Sequence, residues 1–584
     1  MRRLLGGAGI VLMALGMAAC SMTSAGPGSA SATPVLATSR AAPLPAPRLV
    51  LPASPLSEDQ QILHVLNRLG YGPRPGDIER VRQMGLARYI ARQLDPATIP
   101  DDAVGLALSP YSALAMTSTQ LVREYPQPTK EVREKMASGA MTPKEMREIF
   151  PPERRPYVIT VQMQAAKLVR ATMSERQLQE VMADFWFNHF NVFAHKGPVK
   201  WMLPEYERDA IRPHALGRFK DLVVATARHP AMLYYLDNWM STRDDLVMPV
   251  GPNRGKKMGL NENYARELME LHTLGVDGGY TQQDVIEVAR CFTGWTINRP
   301  QEGGGFVFRA MAHDQGAKRV LGRVIPAGGG EQDGMQVIEI LARHPSTAKF
   351  ISTKLVRHFV SDDPPPALVE RAATTFQRTD GDIRAVLMTI FTSPEFFSAE
   401  AYRAKVKKPL EVVASAARAL DAQLLPPSPA ERPRLAEQAA ERGGPQVGGG
   451  FVLARQVANL GEPLYEMQPP TGYGDVAEAW VNTGALLNRM NFALALAHNR
   501  LPGARVEIDR LLGAPDRAQP ERVLDRLLVF LLHGQASPET RSVLAAQLES
   551  PEITRAREYD RGPKNTDVEK LAALVLGSPE FQRR

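Results

Sequence analysis

Apolar residues recur with the 3.6-residue period of amphipathic helices along most of the chain from about residue 57 to the C-terminus. Strand-like runs of β-branched and aromatic residues occur only at Phe306–Phe308 and Arg319–Ile325, on either side of a His313-Asp314 pair. The pattern therefore predicts a mainly α fold. We expect a large multi-helix, bundle-like core with a small β-hairpin near residues 306–325.

One helix can be placed closely from its pattern. Ser174 and Gln177 have the spacing of a capping box at a helix start. The apolar stripe that follows runs through Leu178, Val181, Met182, Phe185 and His189. His189 is thus predicted to lie in the buried face, where a histidine bonded to a backbone carbonyl is commoner than a ligand. A functional role for His189 stays open.

The densest group of polar residues lies between Asn261 and Trp295. On a helical wheel at about 100° per residue, one arc holds Glu262, Asn263, Arg266, Glu267 and Glu270, and the opposite arc holds Tyr264, Leu268, Leu271 and His272. Glu262, Arg266 and Glu270 are spaced as an ion-pair ladder. The wheel predicts that His272 points towards the core and cannot share a metal with Glu267 or Glu270.

The segment ends in a glycine-rich turn and a second helix. Gly275, Gly278 and Gly279 end the first helix, and Thr281 with Asp284 has the pattern of a capping box for the next. We therefore expect Asn261–Trp295 to be a pair of helices.

The first residues have the layout of a secretory signal. Arg2 and Arg3 precede an apolar run from Leu4 to Ala19, followed by Cys20. Small residues directly before a cysteine resemble a lipobox, which predicts that residues 1–20 are a lipoprotein signal and that Cys20 is lipidated. The alternative is plain cleavage near Ala19. We expect an exported protein of the cell envelope, anchored in the outer membrane and facing the periplasm or the surface.

The amino-acid composition divides the chain after residue 20 into four segments. Residues 21–56 are rich in Ser, Ala, Pro and Gly, which predicts a disordered tether. Residues 57–425 form the main helical part, residues 426–450 a flexible loop, and residues 451–584 a C-terminal helical part of the same domain. Besides Cys20 the chain has one cysteine, Cys291, which falls within an apolar pattern and is expected to be a buried, unreactive thiol.

The charge of the chain does not indicate a nucleic-acid partner. The formal net charge is +7, but Lys and Arg are interspersed with Glu and form no basic tract with interleaved aromatics. No metal or cofactor is assigned, because zinc-ligand, phosphate-loop, dinucleotide and nucleophile-elbow patterns are missing from the sequence. A site could still form if His189, Asp237-Asn238, the Asn261–Glu270 arc and His313-Asp314 converge.

The chain carries eight motifs that resemble, in order, those of the bacterial domain-of-unknown-function family 1800 (DUF1800). They read FWFNHF, ARHPAMLYYLDN, NENYARELMELHTLGVDGGYTQQDV, ARCFTGW, AHDQGAKRVLG, FISTKLVRHFV, TDGDIRAVL and QPPTGYGDVAEAW. The resemblance covers the chain from about Ser57, with departures at Ala137–Pro156 and Pro426–Gly450. It implies a large, exported, mostly helical bacterial protein, often encoded beside exported sulfatase-like proteins.

The positions that match these motifs supply the candidate site residues. They are His189, Asp237, Asn238, Asn261, Glu262, Asn263, Arg266, Glu267, Glu270, His272, Asp284, Trp295, His313 and Asp314. Catalytic candidates among them are His189, Glu267, Glu270, His272, His313 and Asp314. The others are expected to form a structural polar cluster.

Two functions follow from these expectations. In the first, the protein is a non-catalytic accessory or scaffold partner of an exported sulfatase-like protein, with an exposed patch formed by Trp239, Trp295, Tyr473 and Trp480. In the second, it is a cell-envelope hydrolase acting on a polymer or glycan. Carboxylates with raised pKa would then be the signature of its site.

Overall fold

A computed structural model describes residues 49–244, 246–247, 254–425, 448–550, 553 and 566–584. The predicted signal at 1–20, the lipidation site Cys20 and most of the tether and of the 426–450 loop lie outside these residues. The described part is mainly α, as predicted, and no helix in it is long and apolar enough to cross a membrane.

The first half of the described chain consists of short helices around two long ones. Its helices are α1 (Glu58–Arg68), α2 (Asp77–Met84), α3 (Leu86–Leu94), α4 (Asp102–Leu108), α5 (Ser118–Glu124), α6 (Lys130–Ala137), α7 (Pro143–Ile149), α8 (Tyr157–Met173), α9 (Gln177–His189), α10 (Val199–Glu205), α11 (Phe219–Ala227), α12 (Pro230–Tyr235), α13 (Asn263–Glu267) and α14 (Gln282–Phe292). Two π-helical turns, Tyr206–Ile211 and Leu268–Thr273, continue α10 and α13.

The second half adds the strands and the remaining helices. The strands are β1 (Trp295–Ile297), β2 (Phe306–Phe308), β3 (Lys318–Val320), β4 (Arg323–Ile325), β5 (Gln423–Leu424) and β6 (Ala504–Arg505). The helices are α15 (Glu331–Ala342), α16 (Pro345–Phe359), α17 (Pro366–Arg378), α18 (Ile383–Phe391), α19 (Pro409–Ala419), α20 (Gly448–Asn459), α21 (Thr483–Ala497), α22 (Ile508–Leu511), α23 (Pro520–Leu532), α24 (Pro538–Gln547), α25 (Val568–Leu576) and α26 (Pro579–Gln582).

One continuous apolar core runs through the described residues from Ile62 in α1 to Phe581 in α26. Leu453 of α20 and Leu571 of α25 belong to it, so the sequences before residue 426 and after residue 447 share one core. Residues 49–56, which composition places in the tether, lie against this body. Within them the Ser54 hydroxyl donates to the carbonyl of Phe397 at 2.7 Å.

The predicted strands are present, but they do not pair with each other. β2 pairs antiparallel with β1, with Trp295 opposite Phe308, and β3 pairs antiparallel with β4, with Val320 opposite Arg323. The β3–β4 turn consists of Leu321 and Gly322, both with positive φ, which is the geometry of a tight two-residue hairpin. The single hairpin predicted for 306–325 is therefore two hairpins.

Helix α9 carries the predicted stripe but begins differently. Its N-cap is Arg176, and no side chain caps it. The Ser174 hydroxyl instead donates to Asp101 at 2.8 Å, and the Gln177 amide donates to the carbonyl of Ala171 at 3.1 Å. The predicted capping box is wrong, because a carboxylate distant in sequence takes the serine hydroxyl.

Candidate functional site

His189 lies in the last turn of α9, inside the core as predicted. Its side chain is 2% exposed and packs edge-on against Trp186 and Phe190. Nε2 lies 3.0 Å from the main-chain oxygen of His272. A carbonyl only accepts hydrogen bonds, so Nε2 carries the proton and Nδ1 is the acceptor.

Lys354 on α16 uses that acceptor. Its Nζ donates to His189 Nδ1 at 2.9 Å and lies 5.6 Å from the ring centre of Phe350. Among the described residues no carboxylate lies within ion-pair distance of Nζ. The side chain is half-buried, and burial lowers its pKa to about 8. We call these two residues the Lys354–His189 pair.

Both histidines of this region are neutral near neutral pH. Burial, and then the charge of Lys354, hold the pKa of His189 well below its ordinary value. The same two causes lower the pKa of His272 to about 3. His272 is buried, as the wheel predicted, and its Nε2 has no hydrogen-bond partner in the described structure. Neither imidazole is thus poised to exchange a proton near neutral pH.

The π-helical turn Leu268–Thr273 changes the arrangement of the glutamates. Arg266 contacts Glu262 at 3.2 Å, but within the described chain it makes no ion pair with Glu270. Glu270 accepts instead from the Tyr280 hydroxyl at 3.3 Å. A π turn holds more residues than the α turn assumed by the wheel, so the predicted ladder is only half formed and needs this correction.

Glu267 is the carboxylate with the most unusual surroundings. It is half-buried and has neither a hydrogen-bond partner nor an ion-pair partner among the described residues. Burial raises its pKa, and the charge of Glu270 raises it further. The pKa of Tyr235 is raised by burial and then by Glu267, which places these two side chains in one neighbourhood. We call Glu267, Glu270, Tyr235 and Tyr280 the carboxylate site.

Residues 467–473 border this site and are held by two asparagines. The Asn191 amide donates to the carbonyls of Met467 and Pro469 at 2.9 and 2.8 Å. Asn188 donates to the carbonyl of Tyr473 at 2.9 Å and accepts from its amide at 2.7 Å. A Cβ at Gly472 would lie 2.2 Å from the Asn188 carbonyl, so this close approach requires glycine.

The Tyr235 hydroxyl ties the carboxylate site to the same loop. It donates to the carbonyl of Gln468 at 2.5 Å. The loop residues, held by Asn188 and Asn191, therefore form one border of the surroundings of Glu267, although the loop lies about 200 positions from it in sequence.

The residues assigned to a polar cluster hold chain segments together. Asp237 pairs with Lys196 at 2.8 Å. The buried Asn238 donates to the carbonyls of Phe292 and Trp295 at 3.2 and 3.0 Å. These bonds attach the end of α12 to the junction of α14 and β1.

The other polar candidates act as helix caps and turn formers. The Asn261 side chain accepts from the amide of Asn263 at 3.0 Å. Thr281 and Asp284 form the predicted capping box of α14, and Asp284 also accepts from the amide of Leu321 at 2.8 Å.

His313 and Asp314 belong to a separate buried cluster. His313 Nδ1 donates to the carbonyl of Thr293 at 2.8 Å, and Nε2 lies 3.1 Å from Asp333. Lys318 pairs with Asp333 at 2.6 Å. In the described structure, no contact of His313 or Asp314 reaches the carboxylate site. His189 and His272 contact each other, but no described contact of their side chains reaches Glu267 or Glu270, so the full convergence considered from the sequence is not formed.

Asp314 is engaged by an arginine rather than exposed to a ligand. Arg290 Nε lies 2.8 Å from its carboxylate, and Arg290 also pairs with Glu287 at 2.9 Å. No group of three or more His, Cys, Asp or Glu in the described ranges is arranged to hold a metal ion.

The comparison with known families agrees with this distribution of motifs. The model described as a protein of unknown function (DUF1800) matches residues 64–583. The chain belongs to the DUF1800 family. No curated protein and no solved structure matches it.

Three residues with central contacts in this region are not predicted by the sequence. They are Lys354, Tyr235 and Asn191, which lie in or directly beside the motifs FISTKLVRHFV, ARHPAMLYYLDN and FWFNHF. Lys354 and His189 are 165 positions apart, so no local periodicity connects them. The one signal in the sequence for a special role of Lys354 was the lack of an acidic residue on the same face of its helix.

Proposed function

We propose that this DUF1800 protein is an exported, lipid-anchored envelope enzyme that hydrolyses a glycan or related polymer at the carboxylate site. One observation carries the proposal. Glu267 is a half-buried carboxyl without a hydrogen-bond or ion-pair partner in the described chain, and its pKa is raised by burial and by Glu270. Perturbed carboxyls that are not used for structure are typical of acid–base sites.

The proposed chemistry assigns different roles to the two glutamates. Glu267, which holds its proton more tightly than an ordinary glutamate, protonates the oxygen of the leaving group. Glu270, positioned by the Tyr280 hydroxyl, takes a proton from the attacking water. Two carboxyls with divided acid and base roles are the general arrangement for hydrolysing glycosidic bonds.

The buried histidines support the site without exchanging protons in this proposal. The bond from His189 to the carbonyl of His272 links α9 to the π-helical turn that carries Glu270. Asn191 and Tyr235 hold the neighbouring loop. A rigid surrounding of this kind positions reacting groups.

The test uses envelope material from the bacterium that encodes the protein. Purified protein is incubated with isolated peptidoglycan and with extracellular polysaccharide, and soluble reducing ends are measured. Wild type is expected to release them, and Glu267→Gln to lose the activity. Glu262→Gln, which removes a charge from the exposed pair with Arg266, is the matched control and should remain active. Release by Glu267→Gln at the wild-type rate would contradict the proposal.

The export and anchoring part is tested separately. The Arg2-Arg3, apolar run and Cys20 pattern supports lipidation. Cells fed a fatty-acid analogue should label the wild-type chain but not Cys20→Ala. Equal labelling of both, or of neither, would overturn the lipid anchor and leave the carboxylate site unaffected.

A second candidate function is an accessory role beside an exported sulfatase-like protein. The aromatic patch expected for it is wrong, since Trp295 and Trp480 are buried and Trp239 and Tyr473 are half-buried. A different apolar surface favours this role: Val481, Leu486 and Leu487, at the start of α21, are 45%, 51% and 62% exposed. Exposed apolar residues grouped in this way are typical of binding surfaces.

The accessory role predicts that this surface binds the sulfatase-like protein. Leu487→Glu should abolish co-purification with that protein when both are expressed together. Val529→Glu is the control, because Val529 is 64% exposed and belongs to a different helix, α23. Unchanged co-purification of Leu487→Glu would exclude this surface.

A further inference from the structure

Lys407 differs from the two lysines beside it in the KVKK segment. Lys405 is paired with Asp362 and Asp475, and Lys408 with Asp184 at 3.4 Å. Lys407 is 4% exposed, and no carboxylate of the described chain lies within ion-pair distance of its Nζ. A buried ammonium without a counter-charge is costly, so the surroundings of Lys407 favour the uncharged amine.

Neither group that Lys407 Nζ contacts carries a negative charge. Nζ donates to the Ser415 hydroxyl at 3.1 Å and lies 4.1 Å from the ring centre of Phe581. Burial lowers the pKa of Lys407 to about 7, and the charges of Arg403, Arg584 and Arg489 act in the same direction.

One acidic group opposes this effect. Glu411 raises the pKa of Lys407, but its carboxylate is already paired with Arg584 at 3.0 Å and accepts from the amide of Lys408 at 2.8 Å. The other ionisable groups around the amine are His533, Glu580 and Arg583. Glu580 is held by the amide of Ser537 and the hydroxyl of Thr540.

A small cavity adjoins the amine. It holds about 30 Å³ of space that water can enter, and Lys407, Ser415 and Phe581 all line it. Nζ contacts both of the other two residues, so it faces this space. Further lining residues are Asn67, Gly72, Arg403, His533, Glu580 and Arg583. A water needs roughly 10–15 Å³ of such space, so about two waters or one linear triatomic molecule fit.

We propose that Lys407 is a carbamylation site that takes up CO₂. The lone pair of the neutral amine forms a bond to the carbon of CO₂, one C=O electron pair moves onto oxygen, and the nitrogen loses a proton to water. The product is a carbamate anion. Arg403, Asn67 and Ser415 line the cavity beside this amine, and the charge of Arg489 also acts on it.

The charged residues around Lys407 stabilise the carbamate better than they stabilise the protonated lysine. The same arginine charges that disfavour an ammonium stabilise an anion. Arg489 is anchored next to Lys407, since its Nη2 donates to the Lys407 carbonyl at 2.9 Å. The modification therefore replaces a neutral buried amine by an anion in a cavity that Arg403 and Arg583 also line.

The test uses the full wild-type chain and ¹³C-labelled bicarbonate at a fixed CO₂ pressure. Carbamates are trapped by alkylation with a trialkyloxonium salt, and the peptides are read by mass spectrometry. The peptide containing Lys407 should carry one trapped carbamate. Its yield should rise with pH through the pKa of about 7, because only the neutral amine reacts. Absence of the label from this peptide at every pH overturns the proposal without any variant.

Two variants assign the label. Lys407→Arg keeps the long cationic stem but has no primary amine, so the ¹³C carbamate resonance of the intact protein should disappear. Lys408→Arg should retain it, because the pKa of Lys408 is raised by Asp184 and Glu462 and its amine stays charged. A resonance that persists in Lys407→Arg overturns the assignment.

Discussion

The buried cluster of His313, Lys318 and Asp333 allows an energetic prediction from geometry alone. The side chains of all three residues are 0% exposed, and Lys318 Nζ lies 2.6 Å from Asp333. Asp333→Asn keeps the shape of the side chain but removes the close counter-charge of the ammonium and leaves only the Asp314 carboxylate, at 4.0 Å. Removing one partner of a buried ion pair costs about 3–5 kcal/mol.

The structure points to the lower end of this range. Lys318 also donates to the main-chain carbonyl of Asp314, which keeps part of its solvation in the variant. We therefore expect Asp333→Asn to lower the free energy of unfolding by about 3 kcal/mol. Lys318→Met combined with Asp333→Asn removes both charges and should be less destabilised than Asp333→Asn alone.

Urea unfolding measures the loss, and hydrogen exchange of the β3–β4 amides locates it. Arg299→Ala is the control, because its pair with Glu302 at 3.2 Å is exposed and such pairs contribute under about 1 kcal/mol. If Asp333→Asn were as mild as Arg299→Ala, or the double variant worse than the single one, the cluster would not stabilise the hairpin as argued.

Three further predictions concern the loop, the thiol and Lys354. Asn188→Ala should speed amide exchange at residues 467–473, because both bonds to Tyr473 are lost. In a Cys20→Ala background, Cys291 should react with a thiol reagent only after unfolding, since burial raises its pKa to about 12. The free energy of unfolding of wild type relative to Lys354→Met should rise from pH about 8 to about 10. Over that range the unfolded chain binds the lysine proton more tightly than the folded one, so raising the pH favours folding.

Each of these three predictions has an outcome that contradicts it. Asn488→Ala, which removes an exposed amide bond to Asn459, should leave residues 467–473 unchanged, and an equal effect of both variants refutes the loop argument. Rapid labelling of native Cys291 refutes its burial. A pH-independent stability difference for Lys354→Met refutes the lowered pKa.

The sequence predicted correctly those features that depend on residues close together in the chain. The apolar stripe of α9 placed His189 in the core, and the Thr281-Asp284 spacing predicted the start of α14 correctly. Both features depend on neighbours within one or two turns, so a single sequence contains them.

Features set by distant contacts were not predictable. The Ser174 capping box failed because Asp101 binds the hydroxyl from 73 positions away. The Glu262-Arg266-Glu270 ladder failed at a π turn, where the side chain of Thr273 bonds to the carbonyl of Leu268 at 2.6 Å. The carboxylate site likewise depends on packing between α12, α13 and the 467–473 loop, which no motif specifies.

The pH dependence of polymer hydrolysis tests the central claim most directly. Wild type should lose activity as pH rises through the raised pKa of Glu267, because the general acid is then deprotonated. Glu267→Gln should be about 100-fold or more slower than wild type below that pKa, and Glu262→Gln should follow wild type. Wild-type rates and an unchanged pH profile in Glu267→Gln would contradict the account.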